Sequence, residues 1–158
     1  MKQKLIEFVI NIGTFVHKMA WPFRRWYFPR HPRTRIIMKH AGKILLVRGW
    51  LSDGCWSLPG GGLHRNEEAK SAARRELFEE LGISTHPEEL KVYGEIKVFQ
   101  DDYKTNYFVF RHSLNVEPEI VRQWHEIADF RWVSKNELIN LSLCISTKAI
   151  LARWSKQG

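Results

Sequence analysis

From Glu67 to Leu81 the chain runs fifteen residues without a proline or a glycine, separated by four residues from the break Pro59-Gly60-Gly61-Gly62. Ala69, Ala73, Leu77 and Leu81 recur at every fourth position. Gly82 stands where a helix commonly closes in the left-handed conformation, and Asn66 is the expected N-cap. The spacing therefore predicts a helix over 67–81 with one apolar stripe. At 100° per residue, Glu76, Glu79 and Glu80 share a face of it. Like charges at these separations repel and weaken a helix, so something cationic must offset them. Arg74 and Arg75 are candidate partners within the chain. Clustered carboxylate oxygens are also the ligand set of hard divalent ions such as Mg²⁺ or Mn²⁺. Mg²⁺ keeps waters and substrate phosphates beside one or two carboxylates, so such a face points to a phosphate-bearing ligand. The glycines before the helix offer exposed backbone, with carbonyls for a metal or amides for an anion.

Around this helix the chain alternates short β-rich runs with turns. Ile36–Lys39 and Ile44–Val47 read as a hairpin across His40-Ala41-Gly42-Lys43, and Cys55–Leu58 reads as a short extended piece. Strands are expected near Lys91–Val98, Thr105–Arg111 and Asp129–Val133. Asp101-Asp102 is expected to form a turn. Ser134 and Glu137 form a capping box that opens a short helix, and Ser146–Trp154 reads as a terminal helix. Strands and helices without strict alternation imply an α+β or a layered α/β/α domain around a mixed sheet. At 158 residues, with 44% hydrophobic and 27% charged side chains, the composition is that of one globular domain. Cys55 and Cys144 lie 89 positions apart with no C-x-x-C spacing, so free buried thiols in a reducing cytosol are the expectation.

The net charge of +8 is unevenly placed. Residues 1–35 hold eight Lys/Arg against one acid (+7), and the remainder is near +1. Leu5, Val9, Ile12, Val16 and Met19 recur at helical spacing opposite Lys4, Glu7, Asn11, Thr14 and Lys18. Aromatic rings interleaved with arginines follow from Trp21 to Arg33. The reading is an arm over 1–34 and a domain over 35–158. A stretch interrupted by Glu7, Asn11 and His17 is too short and too polar to span a bilayer. Its apolar stripe would instead pack on the domain, on a second subunit in a homodimer, or on an anionic membrane surface. Nucleic acid is the less favoured partner. The expected location is cytoplasmic, peripheral at the inner membrane surface if the arm meets lipid.

Taken as one pattern, Gly61, Glu67, Arg75-Glu76-Leu77, Glu79-Glu80 and Gly82-Ile83 resemble the Nudix box, G-x5-E-x7-R-E-U-x-E-E-x-G-U, with every specified position matched. Trp56–Gly61 is similar to the strand and turn that lead into the box, and the likeness covers roughly 35–155. The resemblance implies a Nudix-type α/β/α sandwich, with the amphipathic N-terminal helix as an addition. It also implies hydrolysis of a pyrophosphate bond with one to three Mg²⁺ or Mn²⁺ ions. Carried onto this chain, Glu79 and Glu80 would ligate metal and Glu76 would be a further ligand or base. The carbonyl of Gly60 or Gly61 would complete the site. Arg75 would orient the glutamates, Glu67 would pair with Arg75, and Gly82 would close the helix. Which glutamate acts as general base is left open.

Substrate identity is less constrained. His64 lies in the loop before the helix, where it could touch a phosphate. Trp50 and Tyr103, in expected loops, are candidates for stacking on a base. Trp56 and Cys55 are expected in the core. No proline stands at the post-box position associated with ADP-ribose enzymes. A nucleoside diphosphate derivative or a nucleoside triphosphate is the leading substrate class. The alternatives are removal of pyrophosphate or a cap from an RNA 5′ end, and a non-catalytic nucleotide sensor.

Overall fold

A computed structural model of the chain describes residues 4, 7–12, 31–50, 54–100, 103–122 and 126–155. Within them, after the helical residues 7–12, five strands and three helices follow in the order β1 (Arg33–His40), β2 (Lys43–Gly49), α1 (Ala69–Leu81), β3 (Lys91–Gln100), β4 (Tyr103–Leu114), β5 (Ile127–Val133), α2 (Lys135–Leu138) and α3 (Ile145–Trp154). The strands form one mixed sheet ordered β3-β4-β1-β2-β5. Its β1–β4 pair is parallel and the other three pairs are antiparallel.

The alternation of β1 and β2 explains the layers. Ile36 and Met38 of β1 and Leu45 of β2 face α1, packing on its buried stripe of Ala73, Leu77 and Leu81. Ile37, Ile44 and Leu46 face the opposite way and meet Ile150 and Leu151 of α3, with Trp56 and Leu58. Successive residues of a strand point to opposite faces, so a sheet covered on both sides needs continuous apolar runs. Here that run is Ile36-Ile37-Met38 and Ile44-Leu45-Leu46-Val47, all at most 3% exposed. The result is the α/β/α sandwich.

Several boundaries differ from the sequence expectation. The predicted helix starts two residues late, at Ala69, because Asn66 is not its N-cap: Asn66 sits in a left-handed turn with φ 62°, and Glu68 precedes the first helical residue. Tyr103 is not in a loop but begins β4, paired with Gln100. The helix end is as expected. Gly82 adopts φ 68° and its amide reaches the Phe78 carbonyl at 2.9 Å. The Ser134 box forms too, with Glu137 accepting from the Ser134 amide at 2.9 Å and hydroxyl at 2.7 Å.

The largest correction concerns the cysteines. Cys55 and Cys144 are not free thiols: they form a disulfide of 2.04 Å, so Cys55 is not simply a small buried apolar residue. Sequence separation hides this pairing because the fold lays residues 55–58 beside 142–147. Trp56 donates its amide to Ser142 and accepts from that of Cys144, at 2.8 and 2.9 Å, and Leu58 donates to the Thr147 hydroxyl at 3.0 Å.

Most of the amphipathic segment, and the aromatic and arginine run to residue 30, lie outside the described residues, as does Asp101-Asp102. Residues 7–12 are helical. Within them Ile10 is 2% exposed, and Glu7 meets Arg48 at 3.0 Å. No helix among the described residues is long and apolar enough to cross a membrane.

Candidate active site

The glutamate face of α1 lies against the glycine loop because the start of β1 pulls that loop inward. Thr34 donates its amide to the Gly61 carbonyl at 2.8 Å, and Ile36 donates to that of Pro59 at 2.9 Å. Gly60 is at φ 120°, and a Cβ there would stand 2.7 Å from the Thr34 carbonyl oxygen. At Gly61 a Cβ would collide with both carboxylate oxygens of Glu76. Gly60 accepts no side chain, and one at Gly61 would displace the Glu76 carboxylate, so backbone and carboxylates meet without anything between them.

Each glutamate has a different environment. Glu80 accepts the Gly60 amide at 2.9 Å. Burial pushes its pKa up to about 7, against the opposing pull of that amide and of Arg35. Burial also raises Glu76, although Arg75 beside it acts the other way. Glu67 is the reverse case. It accepts two hydrogen bonds from Arg75, from Nε and Nη2, each 2.9 Å, and one from the His64 amide at 2.8 Å. These hold its pKa down at about 2. Arg75 also donates to Glu76 at 2.9 Å, to Glu79 at 2.7 Å and to the Gly62 carbonyl at 2.9 Å. Arg75 thus joins Glu67 to the glutamate face through one guanidinium.

Among the described residues, no three His, Cys, Asp or Glu side chains converge as a metal-holding group. The reason is visible in Arg75, whose guanidinium has drawn Glu79 and one oxygen of Glu76 to itself. The donor chemistry nevertheless fits a hard divalent ion. Glu76 and Glu80 are carboxylates pressed onto the glycine loop, and their raised pKa values mark negative charge that the protein leaves incompletely compensated. The Gly60 carbonyl accepts from Arg35, and the Gly61 carbonyl from Thr34, so each has one lone pair already engaged.

Two contributors escaped the sequence reading. Arg35 is buried within a β-rich run, its guanidinium bonded to the Gly60 carbonyl and lying 5.6 Å from the Tyr107 ring centroid. Its charge acts on Glu80. Alternation in the strand could have placed Arg35 on an inner face, but nothing in the sequence marks which loop it meets. Glu126 is the second: its charge also reaches Glu80, and its carbonyl accepts the Trp50 amide at 3.3 Å.

The base-stacking and phosphate candidates gather less tightly. By register, the start of β1, the end of β2 and the start of β4 share one end of the sheet, which puts Trp50, Tyr103 and His64 at the glutamate end. His64 is exposed, Trp50 is half-buried, and the side chain of Tyr103 lies outside the described residues. Trp56, as expected, is core.

A carboxylate face set behind a glycine turn and bonded to one arginine has the donor chemistry of a site for a hard divalent ion and a phosphate-bearing ligand. The comparisons agree. The family model described as NUDIX domain matches residues 29–154, and the chain belongs to the Nudix family of hydrolases. Phosphatase NudJ of Escherichia coli K12 is 31% identical over 120 residues, covering 73% of this chain and 75% of that protein. Among solved structures, a MutT protein from Methanosarcina mazei Go1 has a TM-score of 0.68 at 22% identity, covering 80% of this chain and 94% of that one. A bifunctional NMN adenylyltransferase/ADP ribose pyrophosphatase from Francisella tularensis, complexed with AMP and a Mn ion, has a TM-score of 0.69 at 22% identity. It covers 93% of this chain and 47% of that one. At these identities the two structures support the fold.

Proposed function

We propose that the protein hydrolyses a pyrophosphate bond in a small nucleotide, a nucleoside diphosphate derivative or a nucleoside triphosphate, with Mg²⁺ or Mn²⁺. The observation that carries this reading is the pair Glu76 and Glu80, held against the glycine loop, where burial raises the pKa of both, that of Glu80 to about 7. Glu76, Glu79 and Glu80 would hold the ion, with the Gly60 or Gly61 carbonyl beside them. When bound, the ion supplies positive charge to the phosphate oxygens and acidifies water.

The remaining work falls to the chain. Arg75 is anchored by its two bonds to Glu67 and keeps Glu76 in position, so that Glu79, which it also holds, would remain beside the other carboxylates that would take the ion. Arg35, bonded to the Gly60 carbonyl, fixes the loop that Glu80 touches. One glutamate of the set takes the proton of the attacking water, which asks for a carboxyl group whose pKa lies close to working pH. Charge developing on phosphoryl oxygens is then stabilised by groups already in place.

A screen of about fifty nucleotides with phosphate detection, with and without Mg²⁺, tests the proposal. Turnover of one nucleotide class only with the metal is expected. No turnover of any compound would overturn it in favour of a sensor.

The arm has its own reading, that residues 7–12 dock on the domain through Ile10 and present Phe8 and Ile12, 62% and 49% exposed, to an anionic lipid surface. The +7 charge of residues 1–35 complements such a surface. Full-length protein should pellet with phosphatidylglycerol vesicles at low salt, and the double variant Phe8→Ser/Ile12→Ser should not. Equal pelleting of both would discard the idea.

A further inference from the structure

At the end of the sheet away from the glutamates, β1, β4 and β3 bring Lys39, Arg111 and Lys91 to one open cavity of about 460 Å³, walled by Trp154 of α3. Lys91 and Arg111 stand directly opposite each other in the β3–β4 ladder. Like charges in that position repel. The cations lean on rings instead of acids: the Lys39 ammonium lies 5.0 Å from the Trp154 ring centroid, and the Arg111 guanidinium 5.8 Å from that of Tyr93. A ring face attracts the charge but accepts none of the N–H donors in full.

No ion pair within 4.0 Å involves any of these three cations among the described residues. The acid in the lining, Glu89, accepts the His86 amide at 2.6 Å and caps the turn that precedes β3. The lining thus carries three cations against one acid, an excess of two positive charges. Ser113, across from Lys39 in the β1–β4 pair, adds a hydroxyl to the same cavity.

We infer that this cavity is a second ligand site, which binds the phosphate group of a small phosphomonoester between Lys39, Lys91 and Arg111. Its volume exceeds what orthophosphate needs and falls within the range of small-molecule sites, leaving room for an attached organic group beside Trp154. It is separate from the glutamates. Lys39 is six residues along β1 from Arg33, which bridges Gly62, a span of about 20 Å. A mononucleotide cannot touch both.

Amide and indole resonances of the ¹⁵N-labelled full chain, in EDTA and at low salt, report on this site without any requirement for hydrolysis. AMP, orthophosphate and adenosine are the probes. AMP should move the Trp154 indole and Ser113 amide signals to saturation, and adenosine should not. Orthophosphate binding as tightly as AMP assigns the site to phosphate itself, and weaker binding assigns it to the nucleotide. Arg111→Gln and, separately, Lys91→Gln should each weaken AMP about tenfold, whereas Glu80→Gln should leave these shifts unchanged. The inference fails if AMP leaves both signals in place, if adenosine moves them equally, or if neither charge variant alters the titration.

Discussion

At one end of the sheet, Glu67, Glu76 and Glu79 gather around the single guanidinium of Arg75, whereas at the other Lys39, Lys91 and Arg111 have no carboxylate within 4.0 Å among the described residues. Both ends concentrate charge of one sign. The acidic end is part of the domain's packing: the half-buried Glu80 accepts the Gly60 amide, and the glycine loop is stitched to β1. The basic end lies on an open surface where water and salt screen repulsion. Crowded like charge is therefore costly at the first end and cheap at the second. Only the first end should respond strongly, in activity and in stability, when a charge is removed.

The largest expected effect is on turnover. Glu80→Gln keeps an oxygen to accept the Gly60 amide but removes the charge, and should lower kcat by about two to four orders of magnitude. Steady-state kinetics at saturating Mg²⁺ check this, and near wild-type rates would dissolve the distinction between the two ends. Next comes the tether behind the loop. Cys55→Ser, which opens a link across 89 positions, should cost about 2–4 kcal/mol in urea unfolding, mostly by freeing the unfolded chain.

A third test sets Glu67 against Glu80. Glu67, with its pKa near 2, stabilises the fold fully above the ordinary carboxylate value, and that contribution is lost as pH falls through about 2. Glu80 has the opposite sign: with its pKa near 7 it keeps a proton that the unfolded chain releases, so its contribution is present at low pH and lost as pH rises through about 7. In EDTA, wild type should lose stability relative to Glu80→Gln between pH 5 and pH 8, while Glu67→Gln should be less stable than wild type throughout that range. Parallel urea titrations of the three proteins decide it. The smallest effect belongs to the basic end, where Lys91→Gln relieves the repulsion with Arg111 and should raise Tm by about 1 °C at low salt. A large loss there would mean that Lys91 carries structure.

How much was legible in the sequence differs between these ends. Glu67, Arg75, Glu76, Glu79, Glu80 and Gly82 lie within sixteen positions, and helix geometry with one spaced pattern sufficed to group them. Arg35 meets Gly60 across twenty-five positions, and Lys39, Lys91 and Arg111 come together only because β4 inserts beside β1. No periodicity records such neighbours. Asn66 shows the converse limit: its residue type suits a helix cap as well as a left-handed turn, and the loop geometry chose the turn.

By itself, then, the sequence determined the helix that carries the glutamates, the two-sided core implied by continuous apolar strands, and the confinement of excess charge to the first thirty-five residues. These are local properties, set by side-chain type and spacing along a regular backbone. The tertiary structure alone decided that Cys55 meets Cys144, that Arg35 stands behind the glycine loop, that Glu80 and Glu67 titrate in opposite directions, and that three separate cations share one cavity. Each of these depends on burial and on strand order, quantities that exist only after distant segments have packed.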